Sequence, residues 1–218
     1  MLLEGIGVFA LATGLLSMLY RLRFVPIIER NISVLAALLF LYLPAGLLWR
    51  RRIELDHYGL RLAPLGRSLR LWLAAMAVIF PLFALGYWVF LVKICPALPR
   101  WLWTCGPVLN PALRLPPDLL WTVLGQIFVV ALPEEFFFRG YLQGRLEEVL
   151  PPPAALLLSA LLFALGHVLV SFDLATLAVF FPGLIFGLLR HMTGSVLAGT
   201  LLHASSNLLM DILHRSLG

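Results

Sequence analysis

The sequence predicts an all-α fold, a polytopic membrane bundle of about seven transmembrane helices. Hydrophobic residues make up 61% of the 218-residue chain, against about 45 to 50% in soluble globular domains, and the mean hydropathy is +0.98. Charged residues make up only 12% of the chain, and they separate apolar segments close to the length of about 20 residues that a spanning helix needs. No soluble domain of useful size remains, so we expect a single integral membrane domain over residues 1–218.

Seven apolar segments predict the helices, in the order 2–20, 31–49, 69–92, 119–138, 154–170, 174–189 and 195–213. Basic residues follow the first three segments, and three prolines precede the fifth, as expected at helix ends. The first segment lacks a small-residue cleavage site, so we interpret it as a retained span rather than a signal peptide. The sixth segment is short, and it is alternatively tilted, interfacial or re-entrant.

We divide the domain into variable N-terminal helices (1–92), a Pro- and Trp-rich interfacial loop (93–118) and a helical core that carries the candidate site (119–213). The loop contains both cysteines of the chain, Cys95 and Cys105. They have no metal-finger spacing, and the sequence leaves open whether they form a disulfide or remain as thiols.

The formal net charge of +5 does not indicate a nucleic-acid partner. The basic residues lie between or at the ends of apolar segments, which is typical of topology signals and of contact with anionic lipid. No basic stripe interleaved with aromatic residues is present. We therefore expect the lipid bilayer as a partner and a multi-pass protein of the cell membrane, in a prokaryotic inner membrane.

A few polar side chains interrupt the apolar helices and are the candidate functional residues. An ionised side chain near the centre of a membrane helix costs about 2.5 to 3.5 kcal/mol on insertion scales, so such residues usually face the bundle interior and carry function. They belong to the fourth, fifth and seventh predicted helices: Glu134, Glu135 and Arg139, then His167, then His203 and Asn207.

The stretch EEFFFR places Glu135 four residues before Arg139, a spacing at which an acid and a base meet on a helix. Glu134 lies about 100° away around the helix and stays available for proton chemistry. The alternative is that these charges simply mark the end of the fourth helix near the headgroups.

Two further motifs repeat the four-residue spacing. Phe163 and His167 share one helical face, as do His203 and Asn207. The first pair sets a ring beside an imidazole, and the second aligns two hydrogen-bond donors on one oxygen. A lone histidine is more often a packing residue, but together with the acids these groups can activate water and stabilise the oxyanion of an attacked carbonyl. Peptide-bond hydrolysis inside the membrane fits.

The ordered set EExxxR, FxxxH and HxxxN resembles the signature of the CPBP intramembrane proteases, which include the type II CAAX prenyl endopeptidases and bacterial Abi proteins linked to bacteriocin processing or immunity. The stretch RHMTGS, residues 190–195, resembles the family's R-x-x-T-G-S approach to its last motif helix. The resemblance covers about residues 119–213. It implies an intramembrane endopeptidase with a cavity open to one side of the membrane, which cleaves near the C-terminus of a prenylated or hydrophobic protein substrate.

The resemblance also implies roles for the residues. Glu134 would activate water, His167 would help to hold that water, and His203 with Asn207 would form the oxyanion hole. The remaining motif residues, Phe163, Glu135 and Arg139, would support the site.

A metal ion is the open question of the mechanism. Glu134, His167 and His203 would make a three-ligand set for zinc with a fourth position open to water, yet no HExxH pair is present. We therefore favour a glutamic intramembrane protease without a cofactor, and keep zinc as the alternative.

Other functions use the same polar residues. In a non-catalytic membrane protein, such as an immunity factor, this polar cluster would bind a peptide. In a small proton-coupled transporter, one of the acids would act as a proton relay. A transporter predicts an inverted repeat and discontinuous helices, and we find neither in the sequence. A serine nucleophile at Ser205 or Ser206 lacks a GxSxG context, and Gly183 with Gly187 indicates close helix packing. A cavity near Phe136, Phe137 and Phe138 would receive a lipidated cysteine, a hydrophobic peptide end or another helix, and the sequence does not choose among them.

Overall fold

The structure is a computed structural model that describes residues 2–97 and 112–217. All regular secondary structure in these residues is helical. It forms the seven long helices α1 Leu2–Arg21, α2 Pro26–Arg50, α3 Leu65–Ala97, α4 Leu119–Glu147, α5 Pro152–Ser171, α6 Leu174–Thr193 and α7 Leu197–Leu217. The first six are long and apolar enough to cross a membrane. The predicted polytopic helical bundle is confirmed, and the protein is a multi-pass membrane protein.

Several predicted boundaries differ from those in the structure, and three of the differences concern the argument. Helix α2 begins at Pro26, five residues earlier than 31, because a proline at the first helical position has its φ preset and needs no N–H partner. Helix α6 is 20 residues long, which removes the reason to interpret it as too short to span. Helix α4 extends nine residues beyond 138, to Glu147. The charged motif therefore lies inside a helix and does not mark its end.

Helix α4 lies at the centre of the bundle. Its residues 136–146 are all buried, as expected for a helix that is covered on every side. Two π-helical stretches, Gln126–Ala131 and Phe136–Leu142, flank the short α-helical segment Leu132–Glu135 that carries the two acids. Such wide turns are rare and are frequently found at functional sites.

The three consecutive phenylalanines of α4 differ in their surroundings. Phe137 packs on Phe40 of α2 with 4.7 Å between ring centroids, and Phe138 packs edge-on against Phe163 of α5 at 4.9 Å. Phe136 and Phe137 are completely buried, and of the three only Phe138 lines a cavity. A cavity does lie near these residues, as expected, and Phe138 contributes to its wall.

Helices α4 and α6 approach closely through two glycines. A Cβ on Gly183 would lie 3.0 Å from Arg139 Nη2, and one on Gly187 would lie 2.9 Å from Gln143 Oε1. The carbonyl oxygens of both glycines accept hydrogen bonds from α4: Arg139 donates to Gly183 O and Gln143 donates to Gly187 O, each at 3.3 Å. The predicted role of Gly183 and Gly187 in close helix packing is thus confirmed.

The connection between α2 and α3 is anchored by Tyr58. Its side chain is buried, and its hydroxyl donates to Glu148 Oε1 at 2.6 Å. Burial and this hydrogen bond raise the pKa of the Tyr58 phenol above its ordinary value. The neighbouring Gly59 has a φ of +82°, which a glycine adopts without strain, and its carbonyl accepts from the Val196 N–H at 2.9 Å. The loop therefore connects α4 to the turn before α7.

The predicted interfacial loop is only partly described. Residues 93–97 continue α3 in π and 3₁₀ turns instead of belonging to a loop. Cys95 is buried and disulfide-bonded, whereas Cys105 and most of the Pro- and Trp-rich stretch lie outside the described residues.

Candidate active site

Glu135 is the most deeply buried acid of the candidate site. Its side chain is 0% exposed, and its Oε1 accepts from Arg139 Nη1 at 3.1 Å and from His203 Nδ1 at 3.0 Å. The contact with Arg139 agrees with the four-residue spacing. The contact with His203, 68 positions along the chain, was not predicted. Because the carboxylate accepts, the Nδ1 atom of His203 carries a proton, and Glu135 orients the ring.

Arg139 is held by aromatic rings as well as by Glu135. Its guanidinium carbon lies 4.0 Å from the ring centroid of Phe163 and 5.3 Å from that of Phe186. A cation over an aromatic face is stabilised by the ring quadrupole, more strongly where water is excluded. Phe163 therefore helps to stabilise the buried guanidinium, although Arg139 Nε and Glu135 Oε2 have no hydrogen-bond partner among the described residues.

Phe163 also contacts His167, as the FxxxH spacing predicts. The two ring centroids are 4.5 Å apart. His167 Nδ1 lies 2.9 Å from the Phe163 carbonyl oxygen, and since a carbonyl only accepts, Nδ1 is the donor. The other ring nitrogen, Nε2, is then unprotonated in the neutral imidazole and can accept a hydrogen bond.

Glu134 differs from its neighbour Glu135 in being partly exposed, at 19% of its side chain against 0%. The Oε2 atoms of both acids are buried and have no hydrogen-bond partner among the described residues, and His203 Nε2 lies 3.9 Å from Glu134 Oε2. A gap of this width is where a bridging group or water is expected. Arg139 pairs with Glu135, and the availability of Glu134 for proton chemistry stays a prediction.

A cavity of about 320 Å³ lies beside Glu134, between α1, α2, α4 and α5. This volume is at the lower end of the range of about 300 to 1,000 Å³ for small-molecule sites. Its lining includes Glu134 and His167 together with Phe138, Thr13, Leu16, Tyr20, Ile32, Ser33, Ala36, Ala37 and Phe40. Helices α1 and α2, which matched the resemblance only in being apolar, therefore form much of its wall.

His203 and Asn207 reach the site from α7 and are not among the described residues that line this cavity. His203 contacts the two acids, whereas Asn207 donates from Nδ2 to Gln126 Oε1 at 2.9 Å. The sequence analysis missed Gln126. The signal that would have found it is a lone amide in an apolar helix, eight residues before Glu134.

Two smaller predictions concern the serines and the metal. Ser205 and Ser206 donate to carbonyls of their own helix at 2.7 and 2.8 Å, as packing residues do. Within residues 2–97 and 112–217, no three His, Cys, Asp or Glu side chains are grouped closely enough to hold a metal ion. Zinc held by Glu134, His167 and His203 stays an untested alternative.

The fold and these contacts define a polytopic helical membrane protein with carboxylate, imidazole and amide groups gathered inside the bundle. Residues 116–209, which contain all the motif residues, match the family model described as Type II CAAX prenyl endopeptidase Rce1-like. Through this region the chain is similar to the CPBP/CAAX intramembrane proteases, and the match supports a CAAX-type intramembrane endopeptidase as its general class. No curated protein and no solved structure matches the chain.

Proposed function

We propose that the protein hydrolyses a peptide bond near the C-terminus of a lipidated or hydrophobic membrane-associated protein, with Glu134 as the general base that activates water. One observation carries the proposal: of the two acids, Glu134 lines the cavity that His167 also lines, and its Oε2 has no hydrogen-bond partner among the described residues. A carboxylate that is not committed to an arginine can accept a proton from water. Glu135 is less suited to this role, because its side chain is 0% exposed, its Oε1 is bound by Arg139 and His203, and it is not among the residues that line the cavity.

His167 is suited to hold the attacking water. With Nδ1 donating to the Phe163 carbonyl, Nε2 accepts a hydrogen bond from the water while Glu134 accepts the proton. The hydroxide so formed attacks the scissile carbonyl, and the protonated Glu134 then donates its proton to the leaving amine.

His203 and Asn207 serve as the oxyanion donors in this proposal. Since Nδ1 of His203 donates to Glu135, Nε2 donates only when the ring carries a proton on both nitrogens, and the Glu135 carboxylate supplies the counter-charge. Asn207 has a second N–H besides the one that Gln126 accepts. Preorganised donors of this kind stabilise charge that develops in the transition state.

The apolar cavity is suited to the hydrophobic part of the substrate. Phe138, Phe40 and Leu16 contribute apolar surface to its wall, and the catalytic acid lies at the same wall. A lipid chain or apolar side chain seated there would bring the neighbouring peptide bond to Glu134.

The decisive experiment compares Glu134→Gln with the wild type in proteoliposomes, using a farnesylated CAAX peptide with a fluorophore and quencher on either side of the cleaved bond. Loss of the general base should lower kcat by about 10²- to 10⁴-fold and leave the melting temperature within about 2 °C, since the Oε2 of Glu134 has no hydrogen bond to lose. Wild-type cleavage that persists in Glu134→Gln would refute the role of Glu134. Specific binding of the peptide without any cleavage would favour the non-catalytic alternative, and proton uptake driven by a solute would favour a transporter.

We propose a metal-free reaction. Full activity should remain after exhaustive chelation, with no stoichiometric metal found by elemental analysis. Activity that is lost on chelation and restored by zinc would overturn this part of the mechanism.

A further inference from the structure

Within residues 2–97 and 112–217, the one hydrogen bond of the Asn207 carboxamide runs from Nδ2 to Gln126 Oε1, at 2.9 Å, and joins α7 to the first half of α4. We propose that Gln126 is a positioning residue that sets the orientation of the Asn207 carboxamide for catalysis. The inference rests on the proposed function, because it assumes that Asn207 is an oxyanion donor.

The geometry of α4 explains why Gln126 reaches the site. In a regular α-helix, eight residues turn through about 800°, so Gln126 would be rotated by about 80° from Glu134. Residues Gln126–Ala131 instead form a π-helical stretch, in which each turn takes up more residues. The wider turn reduces this offset, so that Gln126 and Glu134 approach the same face and both meet α7.

An amide needs an external partner to fix its orientation. The oxygen and nitrogen of a carboxamide are nearly equal in size, so rotation by 180° exchanges a donor for an acceptor at almost no steric cost. With Gln126 Oε1 as acceptor, Asn207 turns its NH₂ group toward α4 and keeps a second N–H for the substrate. With the acceptor removed, the carboxamide can turn its oxygen to the site, where it would repel an oxyanion.

The neighbouring residues do not provide this orientation. Ser206 donates to the Leu202 carbonyl, and Ser205 donates to the Leu201 carbonyl and accepts from Trp72 Nε1. Neither hydroxyl is recorded in contact with Asn207 in the described part of the chain. The orientation of this donor therefore depends on the one side chain from α4.

A double-mutant cycle tests the inference. Removing one oxyanion donor costs about 10²- to 10³-fold in kcat, so Asn207→Ala should lose about that much. Gln126→Leu, which misplaces the donor without deleting it, should lose about 10-fold in kcat with KM within about 2-fold of the wild type. In the Asn207→Ala background, Gln126→Leu should change kcat by less than about 2-fold, because it acts only through Asn207. The farnesylated CAAX peptide in proteoliposomes is the substrate throughout.

Two kinetic outcomes would overturn the inference. Gln126→Leu with the kcat of the wild type shows that the contact does not matter for catalysis. Losses that multiply in the double variant show that Gln126 acts independently of Asn207.

A spectroscopic measurement tests the contact without any activity. The chain has three asparagines, Asn31, Asn110 and Asn207, so selective ¹⁵N-asparagine labelling gives few side-chain amide signals, and Asn207→Ala identifies the one of interest. Gln126→Leu should shift the Asn207 amide signals and speed their exchange with water, while those of Asn31, which donates to the Ile27 carbonyl, stay unchanged. An unchanged Asn207 signal would refute the contact. If the wild type cleaves nothing, the proposed function fails by itself, and this spectrum still decides whether Gln126 positions Asn207.

Discussion

The buried ion pair of Glu135 and Arg139 allows a quantitative prediction about stability. Both side chains are 0% exposed and their charged atoms are 3.1 Å apart. Arg139→Leu removes the charge partner of Glu135, the hydrogen bond to the Gly183 carbonyl and the contact with the Phe163 ring. Removing one member of a buried pair leaves an uncompensated charge and costs about 3 to 5 kcal/mol. We expect Arg139→Leu to lower the free energy of unfolding by an amount within this range. The variant should also abolish proteolysis, because a displaced Glu135 no longer orients His203.

The chain provides a matched control. Asp211 and Arg215 form an ion pair with the same four-residue spacing, but their side chains are 34% and 44% exposed. Exposed pairs of this kind contribute about 0.3 to 0.5 kcal/mol, so Arg215→Leu should change stability little. Thermal unfolding in detergent, followed by tryptophan fluorescence and by circular dichroism, gives the comparison.

The double variant Glu135→Gln with Arg139→Leu completes this test. No unpaired carboxylate remains at position 135, so the double variant should be more stable than Arg139→Leu alone, although still inactive. If Arg139→Leu and Arg215→Leu lose equal stability, or if the double variant loses the sum of its two single changes, the uncompensated charge is not the cause of the loss.

Three further predictions follow from packing and titration. Ala36 lines the cavity beside Glu134, so Ala36→Leu should lower kcat/KM by about 10-fold or more. Ala77 on α3 is exposed, so the control variant Ala77→Leu should leave kcat/KM unchanged. Equal losses in the two variants would contradict a substrate cavity. A Cβ on Gly140 would lie 2.7 Å from the Tyr58 carbonyl oxygen, so Gly140→Ala should lower the free energy of unfolding by about 1 to 3 kcal/mol. A Cβ on Gly46 would have nothing within 4 Å, so Gly46→Ala should stabilise α2 by about 0.5 to 1 kcal/mol. A Gly140→Ala variant as stable as the wild type would refute the close approach. Because the pKa of Tyr58 is raised in the folded protein, the unfolded chain loses the phenol proton at a lower pH than the folded chain does. Wild-type stability should therefore fall as pH rises above about 10. Unfolding measured against pH should show a smaller fall for Tyr58→Phe.

Local patterns predicted the parts of the site that lie on one helix. The four-residue spacing was sufficient to pair Glu135 with Arg139 and to place Phe163 beside His167, because a helix holds such residues on one face whatever surrounds it. The same pattern placed His203 and Asn207 on a common face but gave no information on their partners.

Local patterns were insufficient at the π-helical stretches and at helix ends. The prediction ended α4 at 138, and one alternative was that the charged motif marks the end of the helix near the headgroups. In the structure Arg139, Gln143 and Arg145 are buried and find partners on α1, α6 and within α4 itself. The segment stays helical because neighbouring helices satisfy its polar groups, which no single segment can reveal.

The sequence by itself determined that this protein is a helical membrane bundle and which polar residues interrupt its apolar helices, because hydrophobic length and helical periodicity are local properties of the chain. Only the tertiary structure decided that Glu135 holds His203, that Gln126 holds Asn207 and that α1 and α2 form the wall beside Glu134. These contacts join residues far apart in the chain. They depend on how helices pack and on where each buried polar group finds its partner, which is a property of the whole bundle.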